Sequence, residues 1–141
     1  MKKKLKFIFF VFSILCAFNT DAFSEKIIVS NEKSNSLSIL SKEGELIQEI
    51  GTCGRPRGMH FSKNKESFFV GCADDDLILI YNTNSLEVIG RIRNVLSPET
   101  FDLHPNGKYL VVSNEDDATA TVWDWTEGKL LQEFNTGEEP E

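Results

Sequence analysis

Apolar residues in this chain come in short runs, each closed by Gly, Asn, Asp or Ser. The run Lys26-Ile-Ile-Val-Ser-Asn31 is β-branched and ends in turn formers, so it predicts a strand. Leu37–Leu40 alternates weakly and predicts a second strand, and Leu46–Ile50 predicts a third. Between them Ser41–Glu45 reads as a hairpin connection in which Gly44 can take a positive φ. Gly51–Pro56 reads as a loop, and Gly58-Met-His-Phe61 opens a further unit.

The same order of parts then returns twice. Ser67–Cys72, Leu77–Tyr81 and Leu86–Ile92 form one set of expected strands, and Tyr109–Ser113, Thr119–Trp123 and Lys129–Phe134 form the next. Pro56, Pro98 and Pro140 are spaced by 42, as are Ile50, Ile92 and Phe134. Ile39 to Ile80 is 41, so the first hairpin is one residue shorter, an indel that a turn between strands tolerates. The expected repeats run over about 26–66, 67–108 and 109–141.

A period near 42 suits either paired-helix solenoids or β-propellers. Helices need runs of ten or more residues at helical spacing, and turn formers interrupt this chain too often. Four short strands per repeat is the pattern of a propeller blade. Leu77-Ile-Leu-Ile-Tyr81 and Phe68-Phe-Val70 are nearly continuous apolar runs, as expected of strands covered on both faces. The expected fold is therefore all-β, with propeller blades of four antiparallel strands. After the first 22 residues the chain holds about three of them, of an expected seven. It stops at Gly137–Glu141, inside the loop that would open a fourth unit, which predicts a longer gene product.

Residues 1–22 read as a secretory signal. Lys2, Lys3, Lys4 and Lys6 form a positive start, Phe7–Phe18 is apolar but shorter than a membrane span, and Thr20-Asp21-Ala22 suits cleavage. Removing this segment moves the net charge from −7 to −10. Such an acidic chain lacks the basic face that nucleic-acid binding requires. The expected location is the periplasm or outside the cell, with no membrane association after cleavage. That compartment allows disulfides, and Cys53 and Cys72 either pair or stay free.

The runs I-I-V-S-N, F-F-V-G-C and L-V-V-S-N stand where YVTN-type propeller repeats carry their namesake strand. Ser30–Ser38, Gly54–Gly58, Pro98–Lys108 and Asn114–Asp117 (S-N-E-K-S-N-S-L-S, G-R-P-R-G, P-E-T-F-D-L-H-P-N-G-K, N-E-D-D) resemble a periplasmic YVTN propeller group associated with PQQ-dependent alcohol catabolism. The resemblance covers the whole chain after residue 22. It departs in the second repeat, where Gly71-Cys72 replaces the usual Thr/Ser-Asn. It implies a binding or scaffolding module, accessory to a PQQ system, with no PQQ site that can be placed on residues here. Val122-Trp-Asp124 also resembles the end of a WD40 strand, but the other repeats have Leu40-Ser41 and Tyr81-Asn82 there. Trp123 then reads as one more packing aromatic.

Candidate chemistry is sparse. His60 and His104 are not at equivalent repeat positions and read as structural or surface residues. No nucleophile motif, phosphate loop or metal-ligand pair stands out. Asp74–Asp76 and Glu115–Asp117 fall in equivalent turns, where acidic residues usually bond backbone; a Ca²⁺ site needs six to eight oxygens. Arg55, Arg57, Arg91 and Arg93 lie near blade ends and, if brought to one face, would form a basic spot for a small anionic ligand or another periplasmic protein. The alternative reading is the amino-terminal part of a propeller enzyme, a quinoprotein dehydrogenase subunit or a lactonase-like protein, with its ligands in further blades.

Overall fold

The computed structural model of the chain describes residues 25–140, so the expected signal at 1–22 lies outside the described residues. Eleven strands are present among them: β1 (Lys26–Asn31), β2 (Ser36–Ser41), β3 (Leu46–Gly51), β4 (Pro56–Phe61), β5 (Ser67–Cys72), β6 (Leu77–Asn82), β7 (Val88–Arg93), β8 (Pro98–Leu103), β9 (Tyr109–Asn114), β10 (Thr119–Asp124) and β11 (Lys129–Asn135). They form three antiparallel sheets in chain order, β1-β2-β3, β4-β5-β6-β7 and β8-β9-β10-β11. The two later sheets have the four strands expected of a blade. The first has three. The sheets are phased differently from the sequence repeat. The strands that Pro56 and Pro98 open each pair forward, through a tight hairpin, with the strand that follows.

Local chemistry sets the hairpins. At each turn between the last two strands of a sheet, the side chain that ends the earlier strand caps the turn. Ser41 Oγ accepts from the Glu43 amide at 3.2 Å, Asn82 Oδ1 from Asn84 and Ser85 at 2.9 Å, and Asp124 Oδ1 from Thr126 at 3.1 Å. The capped turn at Asn82 also moves a predicted boundary. Leu86 is held at φ 58, with its amide on the Asn82 carbonyl, so β7 starts at Val88 and not at Leu86.

The core consists of two inter-sheet seams. Phe68, Val70 and Tyr81 of the middle sheet bury against Leu37 and Ile39 of the first. On its other face, Phe69, Ile78, Ile80 and Ile92 bury against Phe101, Leu110, Val112 and Trp123 of the third. Alternate residues of β5 and β6 thus serve opposite seams, which is why these strands are apolar without a break. Each such side chain contributes about 1.5–3 kcal/mol on burial. The outward faces of the first and third sheets keep Ile27, Val29, Leu46, Val111 and Phe134 exposed.

Glycines let the sheets approach where they converge. A Cβ on Gly58 in β4 would stand 2.8 Å from the Glu99 carbonyl oxygen, and one on Gly71 in β5 3.0 Å from that of Pro98. Both obstacles are backbone of β8, which cannot swing aside. Cys53 and Cys72, which spacing alone leaves either paired or free, form a disulfide. Their Cα atoms are 5.6 Å apart, and the bridge ties the crossover into β4 to the end of β5. Asn114 stands where Cys72 does, one repeat later, and donates its side-chain amide to the Leu96 carbonyl in the corresponding crossover. The departure of the second repeat from Asn to Cys therefore exchanges a hydrogen bond for a covalent bond at one structural position.

Gly58→Val should lower unfolding stability by about 1–3 kcal/mol through overpacking, whereas Gly51→Ala, with no atom within 4 Å of the new Cβ, should be near neutral; chemical denaturation of both variants checks this. Reducing the bridge, which spans a sequence separation of 19, should cost about 3 kcal/mol, measured as the shift in denaturation midpoint with and without reductant.

Candidate functional site

Antiparallel order puts the β1–β2, β5–β6 and β9–β10 turns at the same end of the strands as the β3–β4 and β7–β8 crossovers. At this end β4 and β8 both begin with proline, and the residue before each is held at positive φ, Arg55 at 49 and Ser97 at 34; Glu139, before Pro140, is likewise at 51. Proline normally pushes its predecessor to extended backbone. The preceding blade supplies the restraint. Asn35 Oδ1 accepts from the Arg55 amide at 3.0 Å, and Asp76 Oδ1 from the Ser97 amide at 2.9 Å. Asn35 and Asp76 are themselves left-handed, at φ 52 and 50, a conformation short polar side chains tolerate. Asp75 Oδ2 adds a bond from the Gly54 amide at 2.7 Å. The acidic turn thus does bond backbone, as its composition suggests, but at a distance in sequence: Asp76 holds the entry of the next blade and Asp75 the entry of its own sheet.

This latch places Arg55 and Arg57 between three blades. Arg55 Nε donates to Glu32 Oε1 at 3.3 Å, and an Arg55 terminal nitrogen donates to Glu115 Oε2 at 3.0 Å. Arg57 donates to Glu32 Oε1 at 3.1 Å and to Glu99 Oε1, and stands 3.7 Å from Glu115 Oε2. Glu32 comes from the first sheet's turn, Glu99 from β8 and Glu115 from the third sheet's turn. The arginine and glutamate side chains are 14–46% exposed, so the cluster sits in the rim and not in open solvent. The Arg57 guanidinium beside Glu32 holds that carboxyl below the usual carboxylate range, and the Glu99 hydrogen bond holds Arg57 charged to still higher pH than normal. The other Glu99 oxygen, Oε2, is buried without a donor.

Arg91 and Arg93 do not join this cluster. Both are exposed on β7, the outermost strand of the middle sheet. Three strand spacings separate β7 from β4, about 14 Å. The three glutamates carry no local signature, because their partners are tens of residues away. The one usable signal is that Glu99 follows Arg57 by 42, which puts opposite charges at one position of successive inner strands.

The histidines lie toward the opposite end. His60 Nε2 is 2.9 Å from Asp102 Oδ1 on the neighbouring inner strand, and His60 Nδ1 is 2.7 Å from the Phe61 carbonyl. His104 Nδ1 accepts from the Asn106 amide at 3.2 Å. A groove of about 320 Å³ lies beside them, lined by His60, Phe61, Lys63, Leu103, His104, Pro105 and Gly107. Nearby, Lys108 donates to the buried Asp124 carboxylate at 2.8 Å, which holds Asp124 below its ordinary range and Lys108 above its own.

Comparison with known proteins places the fold. No family model matches the chain, and no curated protein matches it in sequence. Among solved structures it is similar to Kuenenia stuttgartiensis hydrazine synthase, with a TM-score of 0.69 and 15% identity over 81% of this chain and 33% of that one. It is also similar to the dihydro-heme d1 dehydrogenase NirN in complex with DHE, at TM-score 0.61 and 18% identity over 77% of this chain and 24% of that one. A functionally unknown protein from Desulfotomaculum acetoxidans gives 0.64 and 21% over 79% and 39%. Hydrazine synthase and NirN are β-propeller-like. By fold, this chain is a β-propeller module. At these identities the likeness shows the fold alone, and the module spans between a quarter and two fifths of the lengths of these neighbours.

The cluster has a pH signature. Glu32 has a folded pKa below its unfolded value of 4.5, so its contribution is complete above that value and is lost as pH falls through the lower folded value. Stability should therefore drop below about pH 4.5, and Arg57→Gln should both flatten that limb and cost about 2 kcal/mol at neutral pH by stripping the partner from Glu99. Urea denaturation of both proteins across pH 3–7 reads the two effects.

Proposed function

We propose that the module is part of an exported YVTN-type β-propeller that works as a binding or scaffolding unit, accessory to a PQQ-dependent alcohol oxidation system. The observation that carries this reading is the rim cluster. Two arginines and three glutamates from three blades converge on one face, held by latched backbone. A guanidinium has five donors, and the internal pairs engage only part of them. With two arginines against three glutamates the cluster sums to 2 − 3 = −1 rather than forming a basic spot, so an acidic group docks here by taking over glutamate bonds to a guanidinium, through forked hydrogen bonds. The ligand is accordingly a small anion or an acidic group on another periplasmic protein. The Cys53–Cys72 bridge supports an oxidising compartment. The G-R-P-R-G, P-E-T-F-D-L-H-P-N-G-K and N-E-D-D segments support the YVTN and PQQ association. Seven blades complete the ring in this reading.

Cell fractionation followed by affinity capture from periplasmic extract, with and without PQQ, tests it. The chain should be found in the periplasm with its disulfide formed, and a PQQ-dependent dehydrogenase should co-purify. Losing one or two charged hydrogen bonds should reduce that recovery about tenfold in the Arg55→Gln/Arg57→Gln variant, with the circular dichroism spectrum retained. Cytoplasmic retention, or recovery indifferent to the double substitution, would overturn it.

A further inference from the structure

Arg91 and Arg93 take no part in the rim cluster, and β7 gives them a different setting. β7 is the outer strand of the middle sheet and pairs only with β6. Both faces of that sheet are already covered by its neighbours. The backbone along the outer edge of β7 faces no strand among the described residues. Any stack of sheets has outer edges; what is particular to this one is its charge. The residues 42 positions before and after Arg91, at the same register on β3 and β11, are Glu49 and Glu133. Arg93 likewise stands where those strands have Gly51 and Asn135. We propose that the β7 edge is an interaction surface for an extended acidic segment of another protein, added as an antiparallel strand with the pattern acid-x-acid-x-apolar.

The pattern follows from the register of β7 on β6. Leu77 is opposite Arg93, Leu79 opposite Arg91 and Tyr81 opposite Val88. Arg93, Arg91 and Val88 therefore stand on one face of the sheet, with Gly90 and Ile92 on the other. Both arginines are exposed, and the ion pairs among the described residues engage neither. Val88 and Ile89, at the bulge, are 41% and 60% exposed. An antiparallel segment meets Arg93 first, Arg91 two residues later, and the apolar pair after that. Opposite charges directly across a ladder stabilise the pairing, and like charges weaken it. The arginines that keep two β7 edges from pairing with each other thus admit an acidic strand. Gly90 stands where β3 and β11 carry Gln48 and Gln132, so on the other face no long side chain leans over the edge.

Main-chain hydrogen bonds supply affinity in this mode of recognition, and the alternate side chains supply specificity. The surface shares no residue with the rim cluster and is independent of the proposed YVTN and PQQ role.

The test uses the isotopically labelled 141-residue chain and the synthetic peptide Thr-Glu-Thr-Glu-Thr-Val-Thr as the probe. At saturating peptide, the β7 amides that point away from β6 should exchange more slowly by about tenfold or more, with β3 and β11 unchanged. The same peptide with Lys in place of both Glu residues should leave β7 unchanged. In the Arg91→Glu/Arg93→Glu variant the response should transfer from the Glu peptide to the Lys peptide. Four results would overturn the proposal: no slowing in β7 with the Glu peptide, equal slowing by the Lys peptide, equal slowing in β3 and β11, or a response to the Glu peptide that survives the charge reversal.

Discussion

Face-to-face burial between neighbouring sheets is the interaction on which everything else depends. The middle sheet is apolar on both sides, and neither side can be hidden within the sheet itself. Phe68 and Phe69 are adjacent in the chain and fully buried in different seams. A sheet of this kind is stable only between two others. The same demand fixes how close the sheets come, and that closeness is why Gly58 and Gly71 have room only for a hydrogen where they meet β8.

Stacking sheets also requires the chain to leave the outer strand of one blade and start the inner strand of the next. That crossover is where the backbone is least comfortable. A residue before proline at positive φ is disfavoured, and the structure holds it there from outside, with an Asn or Asp of the preceding blade gripping its amide. The third blade has Ala118 at the latch position, still at φ 50 but without a side chain that can reach across. The disulfide belongs to the same problem. It fastens the first crossover where the next blade relies on Asn114.

The rim cluster is a by-product of these crossovers. Because Arg55 and Arg57 flank Pro56, the latch that positions the crossover also positions the guanidinium groups, and glutamates of both neighbouring blades close around them. Five charges held partly exposed at the rim give the module a pre-ordered polar surface. Ordering that is already complete in the fold need not be repeated on binding.

The order of amino acids alone determines much of this architecture. Strands, turns and the period of 42 depend on residues within a few positions of each other, so Ser41, Asn82 and Asp124 announce their hairpins from composition and spacing. The unbroken apolar runs likewise announce strands covered on both faces. Other features belong to the tertiary structure: which sheet each proline-led strand joins, that Cys53 meets Cys72, and that Arg57 meets Glu32, Glu99 and Glu115 while Arg91 and Arg93 stay apart on β7. The physical reason is range. Backbone preferences and hydrophobic periodicity act locally and leave their mark on neighbouring letters. Contacts between blades depend on how far one sheet slides and turns against the next, and only the packing of the seams decides that.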